Sequence, residues 1–251
     1  MRTMMMRFLM GAMLLPLMLS ACKKQETAGS GTTPMQPRQT NERERLEQSF
    51  EASKKVTALK VNGEIIAEFF VLREMNTIGP RYLKPGQART PELDARIRRD
   101  ALDIVIFQAL AVQEARKRGM QVKPEVMDAE IARLKEHKGP GRSFQDYLTS
   151  NGLTEEEFRR ALEQEYLFEQ IAAREIDAKV TVTEAAVKER YAREKTGLQD
   201  ASHRQMTFDE AKGLLEQRLR EEAGEKRMRE WEAELRRNAR IEIMEQKQNK
   251  G

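Results

Sequence analysis

The stretch from Ala101 to Val112 reads ALDIVIFQALAV, and Leu102, Ile104, Val105, Ile106, Phe107 and Leu110 leave almost no polar side if it coils into a helix. A helix with one apolar stripe can lie on a surface, but one apolar nearly all round must be covered from several directions. The rest of the chain therefore has to supply elements that wrap it. Its ends are marked as well. Thr90-Pro91 offers an N-cap followed by proline at the first helical position, and Gly119 is a stop signal, so the spacing predicts a helix over 91–118.

Further helices are punctuated in the same way. Phe69, Leu72 and Met75 form one face of a helix over 68–76, which the glycines and prolines between Gly79 and Gly86 end. Pro124 opens a helix to about His137 with Met127, Ile131 and Leu134 in register. Ser143 can cap a short one through Ser150. Thr154 with Glu157 has capping-box spacing ahead of a helix over 155–178, and Thr183 can cap another to Lys195. Thr207 with Glu210 repeats the box before a long helix over 208–238. Its stripe of Phe208, Ala211, Leu215, Leu219, Met228, Trp231 and Leu235 drifts and is broken by Gly213 and Gly224, which predicts a kink or an exposed middle. Asn41 to Lys55 could also be helical, but Leu46 and Phe50 are its only apolar pair, so weak packing is expected.

Only two segments read as extended. Residues 56–67 (VTALKVNGEIIA) gather β-branched residues around Asn62-Gly63, a tight-turn dipeptide, and 240–244 (RIEIM) alternate. The simplest pairing joins the two. The expected fold is mainly α, with a small two- or three-stranded β element linking both ends of the folded part.

The N-terminus has a different character. Arg2 and Arg7 precede a twelve-residue apolar run from Phe8 to Leu19, followed by Ser20 and Ala21. That is the layout of a secretory signal over 1–21, because twelve helical residues rise only about 18 Å against a hydrocarbon core of ~30 Å. Leu19-Ser20-Ala21-Cys22 resembles the lipobox of bacterial lipoproteins and places the chain's only cysteine where diacylglyceryl transfer needs it. Cleavage without lipidation would want a small residue in place of Leu19. Cys22 is thus the candidate lipidation site. Residues 22–40, rich in Gly, Ser, Thr, Pro and Gln, are expected to be a flexible tether ahead of a folded part over 41–251. Lipoproteins held at the inner membrane of two-membraned bacteria usually carry Asp after the cysteine. Lys23 stands there and favours the periplasmic face of the outer membrane in such a host.

The pI of 9.1 suggests nucleic acid, yet the net charge of +4 falls to +2 once Arg2 and Arg7 leave with the signal. No nucleic-acid partner is expected. One cysteine and two histidines exclude an internal disulfide and a Cys/His zinc cluster. No phosphate loop, HExxH helix or ordered Ser/His/Asp set appears, and the carboxylates are interleaved with Arg and Lys as on a solvated helix face. Catalytic residues, metal and cofactor are therefore expected to be none.

The ordered series of motifs resembles the N-terminal chaperone domain of SurA, PrsA and related exported parvulin-type foldases, with a trigger-factor-like helical body. It comprises the Val61-Asn62-Gly63 strand, EARKRGMQV (114–122), PEVMDAEI (124–131), FQDYLTSNGLTEEEFRRALEQEY (144–166), VTVTEAAVKERY (180–191) and WEAELRRNARIEI (231–243). The resemblance implies a SurA N-terminal-like helical chaperone that binds unfolded or nascent exported polypeptides, and it leaves a homodimer open. The isomerase domain of that family sits between the segment ending near Tyr191 and the last long helix. Here the interval from Ala192 to Met206 is fifteen residues, too short for a domain, so no isomerase activity is expected and His203 within it carries no catalytic role. A family member with residual isomerase activity and a scaffold dedicated to one partner are the alternatives. Phe69, Phe107, Phe158 and Phe168 either line a client groove or belong to the core.

Overall fold

The computed structural model describes residues 48–83, 88–136 and 143–244. The signal, Cys22 and the tether lie outside them, as does Leu46. A helical segment over 48–55 leads into a hairpin of β1 (Thr57–Val61) and β2 (Glu64–Ala67), so the extended segment is two strands rather than one. The reason is local. Asn62 and Gly63 both take positive φ, 52° and 86°, which is the two-residue turn whose twist matches a hairpin. The chain then passes through α1 (Glu68–Ile78), α2 (Pro91–Lys117), α3 (Pro124–Glu136), α4 (Phe144–Ser150), α5 (Glu155–Ala172), α6 (Glu184–Glu194) and α7 (Phe208–Arg237) before closing with β3 (Ile241–Ile243). β3 pairs antiparallel with β1, giving the order β2-β1-β3 and bringing both ends of the folded part together as expected. The fold is mainly α with a small three-stranded antiparallel sheet.

The capping residues act where they were read. Thr90, Ser143, Thr154, Thr183 and Thr207 each accept a hydrogen bond from a backbone N–H of the helix they precede, a contribution of about 1 kcal/mol apiece. Ser143, Thr154 and Thr207 form full capping boxes with Asp146, Glu157 and Glu210.

The apolar middle of α2 is covered from several sides. Ile97, Ala101 and Ile106 pack under the sheet and α1, while Phe107, Ala111 and Ala115 face α5 and α7. Glu68 at the start of α1 receives two hydrogen bonds from Arg98 of α2, at 2.5 and 2.9 Å, and fixes the crossing of the two helices. Below α1 a second apolar group gathers Phe69, Met127, Ile131, Leu148, Phe158 and Leu162 from α1, α3, α4 and α5.

Two elements depart from expectation, and a third resolves one. The 48–55 segment is anchored more firmly than one apolar pair suggested. The Phe50 ring stands edge-on to Phe69 at 6.0 Å, and Lys54 bridges Glu51 and Glu157. The helix expected over 155–178 is α only to Ala172 and continues as a π turn over Ala173–Asp177. In that turn the Lys179 and Val180 amides both reach the Ile176 carbonyl, which leaves the Glu175 carbonyl without an amide donor from its own helix. Arg227 Nε of α7 supplies the bond at 3.0 Å, so the wide turn is where α5 is tied to α7. Of the kink or exposed middle expected for α7, the structure has the exposed middle: the helix runs unbroken for 30 residues through both glycines. Its stripe drifts because it changes partners. Ala211 and Leu215 pack on Val187 of α6, the turns from 216 to 223 bury nothing, and Gly224 and Trp231 return inward, Trp231 against Phe107 and Phe168.

The interval between α6 and α7 closes on itself. The Met206 amide donates to the Leu198 carbonyl at 2.8 Å, and Gln199 and Gln205 form a β-bridge. His203 is exposed at the tip of this small hairpin with φ of 60°.

Candidate functional site

β2, α1, α2 and α5 do not close completely on one another. Between them lies a cleft with a cavity volume of about 100 Å³. A cavity of ~150 Å³ accepts a benzene ring, so this one is on the scale of a single apolar side chain. Ile65 and Ile66 come from β2, Phe70 from α1, Ala109 and Val112 from α2, and Phe168 from α5. The short turn at Asn62-Gly63 returns β2 over α2, and Gln113 of α2 ties the hairpin down by donating to the Val61 carbonyl at 3.0 Å and to Glu64 at 2.8 Å.

One end of the cleft is charged. Arg73 and Glu74 reach it from α1 and Glu165 from α5. The Arg73 guanidinium lies 5.9 Å from the centroid of the Phe70 ring. Glu74 is only 4% exposed, and its Oε1 has no hydrogen-bond donor among the described residues. The same is true of Glu165 Oε2. Burial pushes the Glu165 carboxyl up to about 7, helped by the negative charges of Glu169 and Glu130 and opposed by Arg73. Burial also raises Glu74 against the pull of Arg73 and Arg81, and raises the Tyr147 hydroxyl beside them. Arg73 is lowered by burial, while Tyr147, Glu74 and Glu165 favour its charge. Carboxylates shifted by burial and facing a cleft are candidates for a functional site. No histidine, cysteine, serine or threonine lines this cleft to act as a nucleophile, and the described residues contain no cluster of three potential metal ligands. The arrangement suits binding. It offers an apolar slot with two largely buried carboxyl groups in its wall.

The aromatic candidates are used mainly for packing. Phe69 is 2% exposed and Phe158 1%, with Phe158 held edge-on by Phe144 at 5.3 Å and by Tyr147 at 5.8 Å. Phe107 stands edge-on to both Phe168 and Trp231, at 5.6 and 5.2 Å. Of the four, Phe168 alone contributes to the cleft wall. Of the two places open to them, Phe69, Phe107 and Phe158 take the core, where each ring is enclosed by its neighbours. The sequence reading passed over Ile65, Glu74 and Glu165. A signal was present for the last two. Glu74 follows Phe70 by four residues and Glu165 sits three from both Leu162 and Phe168, so each carboxylate falls on an apolar helix face.

The chain is 25% identical over 145 residues to the chaperone SurA of Nitrosococcus oceani, an alignment covering 57% of this chain and 34% of that protein, so the chain spans about a third of its relative's length. Among solved structures, a chain from the work on the virulence factor PEB4 and the periplasmic protein Cj1289, two SurA-like chaperones of Campylobacter jejuni, is matched over its full length and 76% of this chain at 10% identity and a TM-score of 0.48. The model of the SurA-like N-terminal domain matches residues 46–172, which is half of the chain and takes in β1 through α5, every element that walls the cleft. The chain belongs to the SurA-like N-terminal domain family.

Proposed function

We propose that the protein is an exported, membrane-tethered chaperone that holds unfolded or extended polypeptide segments during envelope assembly, without isomerase chemistry. Family membership of the segment that builds the cleft is the observation that carries this reading. The cleft takes an apolar client side chain, and the charged exterior keeps the loaded protein in solution. The thirteen-residue connection between α6 and α7, drawn shut as a small hairpin, supports a role without the isomerase domain. Cys22 is the proposed anchor. Several acyl chains at ~0.8 kcal/mol per buried methylene hold a protein stably on a membrane, and residues 22–40 then raise its local concentration near clients at that surface, the outer-membrane periplasmic face in a two-membraned host.

The test is aggregation of a chemically unfolded envelope protein diluted into buffer with the protein extracted from membranes. Suppression at stoichiometric amounts, together with no acceleration in a protease-coupled proline-peptide assay, is expected. Unaltered client aggregation at a tenfold excess would refute the holding role. A single dominant crosslinked adduct in native envelopes would mark a scaffold dedicated to one partner.

A further inference from the structure

β2 is an edge strand, and its register decides which of its peptide groups are free. Val61 and Glu64 flank the two-residue turn and form the hydrogen-bonded closing pair of the hairpin. The next pair, Lys60 with Ile65, is then of the non-hydrogen-bonded kind, so the Ile65 N–H and C=O point away from β1. β3 covers the far side of β1, and no described residue takes up the Ile65 peptide group. The same residue lines the cleft and is the most exposed large apolar side chain among the described residues, at 62%. An open strand edge thus forms one wall of an apolar slot. Across the slot lie the two carboxylates, each with an oxygen sealed from water and lacking a donor.

From this juxtaposition we propose that an extended polypeptide segment docks by adding as a strand to the free edge of β2, pairing with the Ile65 peptide group, placing an apolar side chain in the cleft and offering a Lys or Arg two residues along, on the same face, to Glu74 and Glu165. Strand addition supplies affinity through main-chain hydrogen bonds that any sequence can make, while alternate side chains give selectivity. The selectivity here is for an apolar residue and a basic one two positions apart. Burial holds Glu74 and Glu165 toward their neutral forms, so a cation brought beside them favours their ionised forms and is attracted, while an acidic residue is repelled. This deepens the chaperone reading and rests on it.

The experiment is fluorescence anisotropy of the full-length protein with a labelled nine-residue peptide alternating Val or Phe with Lys along one strand face and carrying Thr on the other. N-methylation of its backbone at every second position is made in both parities. One parity removes the N–H groups that face β2 and is expected to weaken binding at least tenfold, the other less than threefold. Ile65→Pro, which deletes an N–H outside the β1–β2 ladder and so suits an edge strand, is expected to weaken the unmethylated peptide about tenfold with thermal unfolding unchanged. Replacing Lys by Glu in the peptide is expected to cost at least fivefold, and that preference is expected to fall below twofold in the Glu74→Gln, Glu165→Gln double variant. Equal binding of both methylated parities overturns strand addition while leaving the chaperone reading intact. Failure of the unmethylated peptide to bind the wild-type protein overturns both.

Discussion

Glu175 sits in the π turn with its side chain 7% exposed, and Arg118, Lys179 and Arg227 reach its carboxylate at 2.5, 2.5 and 3.1 Å. Its pKa is held at about 2 by hydrogen bonds from Lys179, Arg118 and Arg227, which outweigh the upward effect of burial. An unfolded chain would show the ordinary value of 4.5. A folded pKa below the unfolded one adds stability that is fully present above 4.5 and lost as pH falls toward 2. At about 1.4 kcal/mol per pH unit the whole difference is worth roughly 3 kcal/mol. Glu175→Gln keeps the size and leaves three cations without their shared anion. Urea unfolding followed by the emission of Trp231, the only tryptophan and one turn from Arg227, is expected to place the variant about 3 kcal/mol below the wild type at pH 7. The gap should narrow to about 2 kcal/mol at pH 3.5 and about 1.4 kcal/mol at pH 3. A gap under about 0.5 kcal/mol at pH 7, or one that does not narrow with acid, would refute the assignment of Glu175 as the charged tie between α5 and α7.

Other substitutions probe separate parts of the fold. Gly152→Ala should cost about 1–3 kcal/mol in the same assay, since Gly152 has φ of +62° and a Cβ there would stand 2.8 Å from the Cβ and Cγ of Phe50. Phe107→Ala should cost about 3–5 kcal/mol and shift Trp231 emission to longer wavelength, because it empties the space between Phe168 and Trp231. Glu165→Gln is expected to stabilise by about 1–2 kcal/mol at pH 8 and by nothing below pH 4.5: a carboxyl raised to about 7 penalises the fold only where an unfolded glutamate is ionised, so the gain should appear as pH rises from 4.5 through 7. A gain of equal size at pH 4 would assign it to packing.

Helix ends were legible because capping is a short-range affair. Thr154 and Glu157 lie three residues apart, and no distant part of the chain is needed for them to bond. The long apolar helix was legible for a related reason, since a sequence without a polar side can only be interior. The π turn was not, as it depends on Arg227, fifty-two residues along the chain from Glu175. The drifting stripe of α7 left a kink and an exposed middle both open, because the pattern looks the same whether a helix bends or exchanges one neighbour for another. The aromatic candidates show a similar ambiguity. Helical spacing places Phe107 and Phe158 on inward faces, yet whether an inward face meets another helix or an open cleft is decided by the elements across from it. The cleft itself arises where a hairpin edge fails to meet α5, and its carboxylates stood in plain sight on apolar faces among many others that are solvated.

The central claim is that clients enter the cleft between β2, α1, α2 and α5. A photo-crosslinking amino acid at Gln108, in the cleft wall, and another at Leu214, an exposed apolar position on α7 away from it, would be compared in the full-length protein with an unfolded envelope client. Strong adducts from position 108 that the alternating peptide competes away, with few from 214, are predicted. Equal yields from the two positions, or none from 108, would contradict the account.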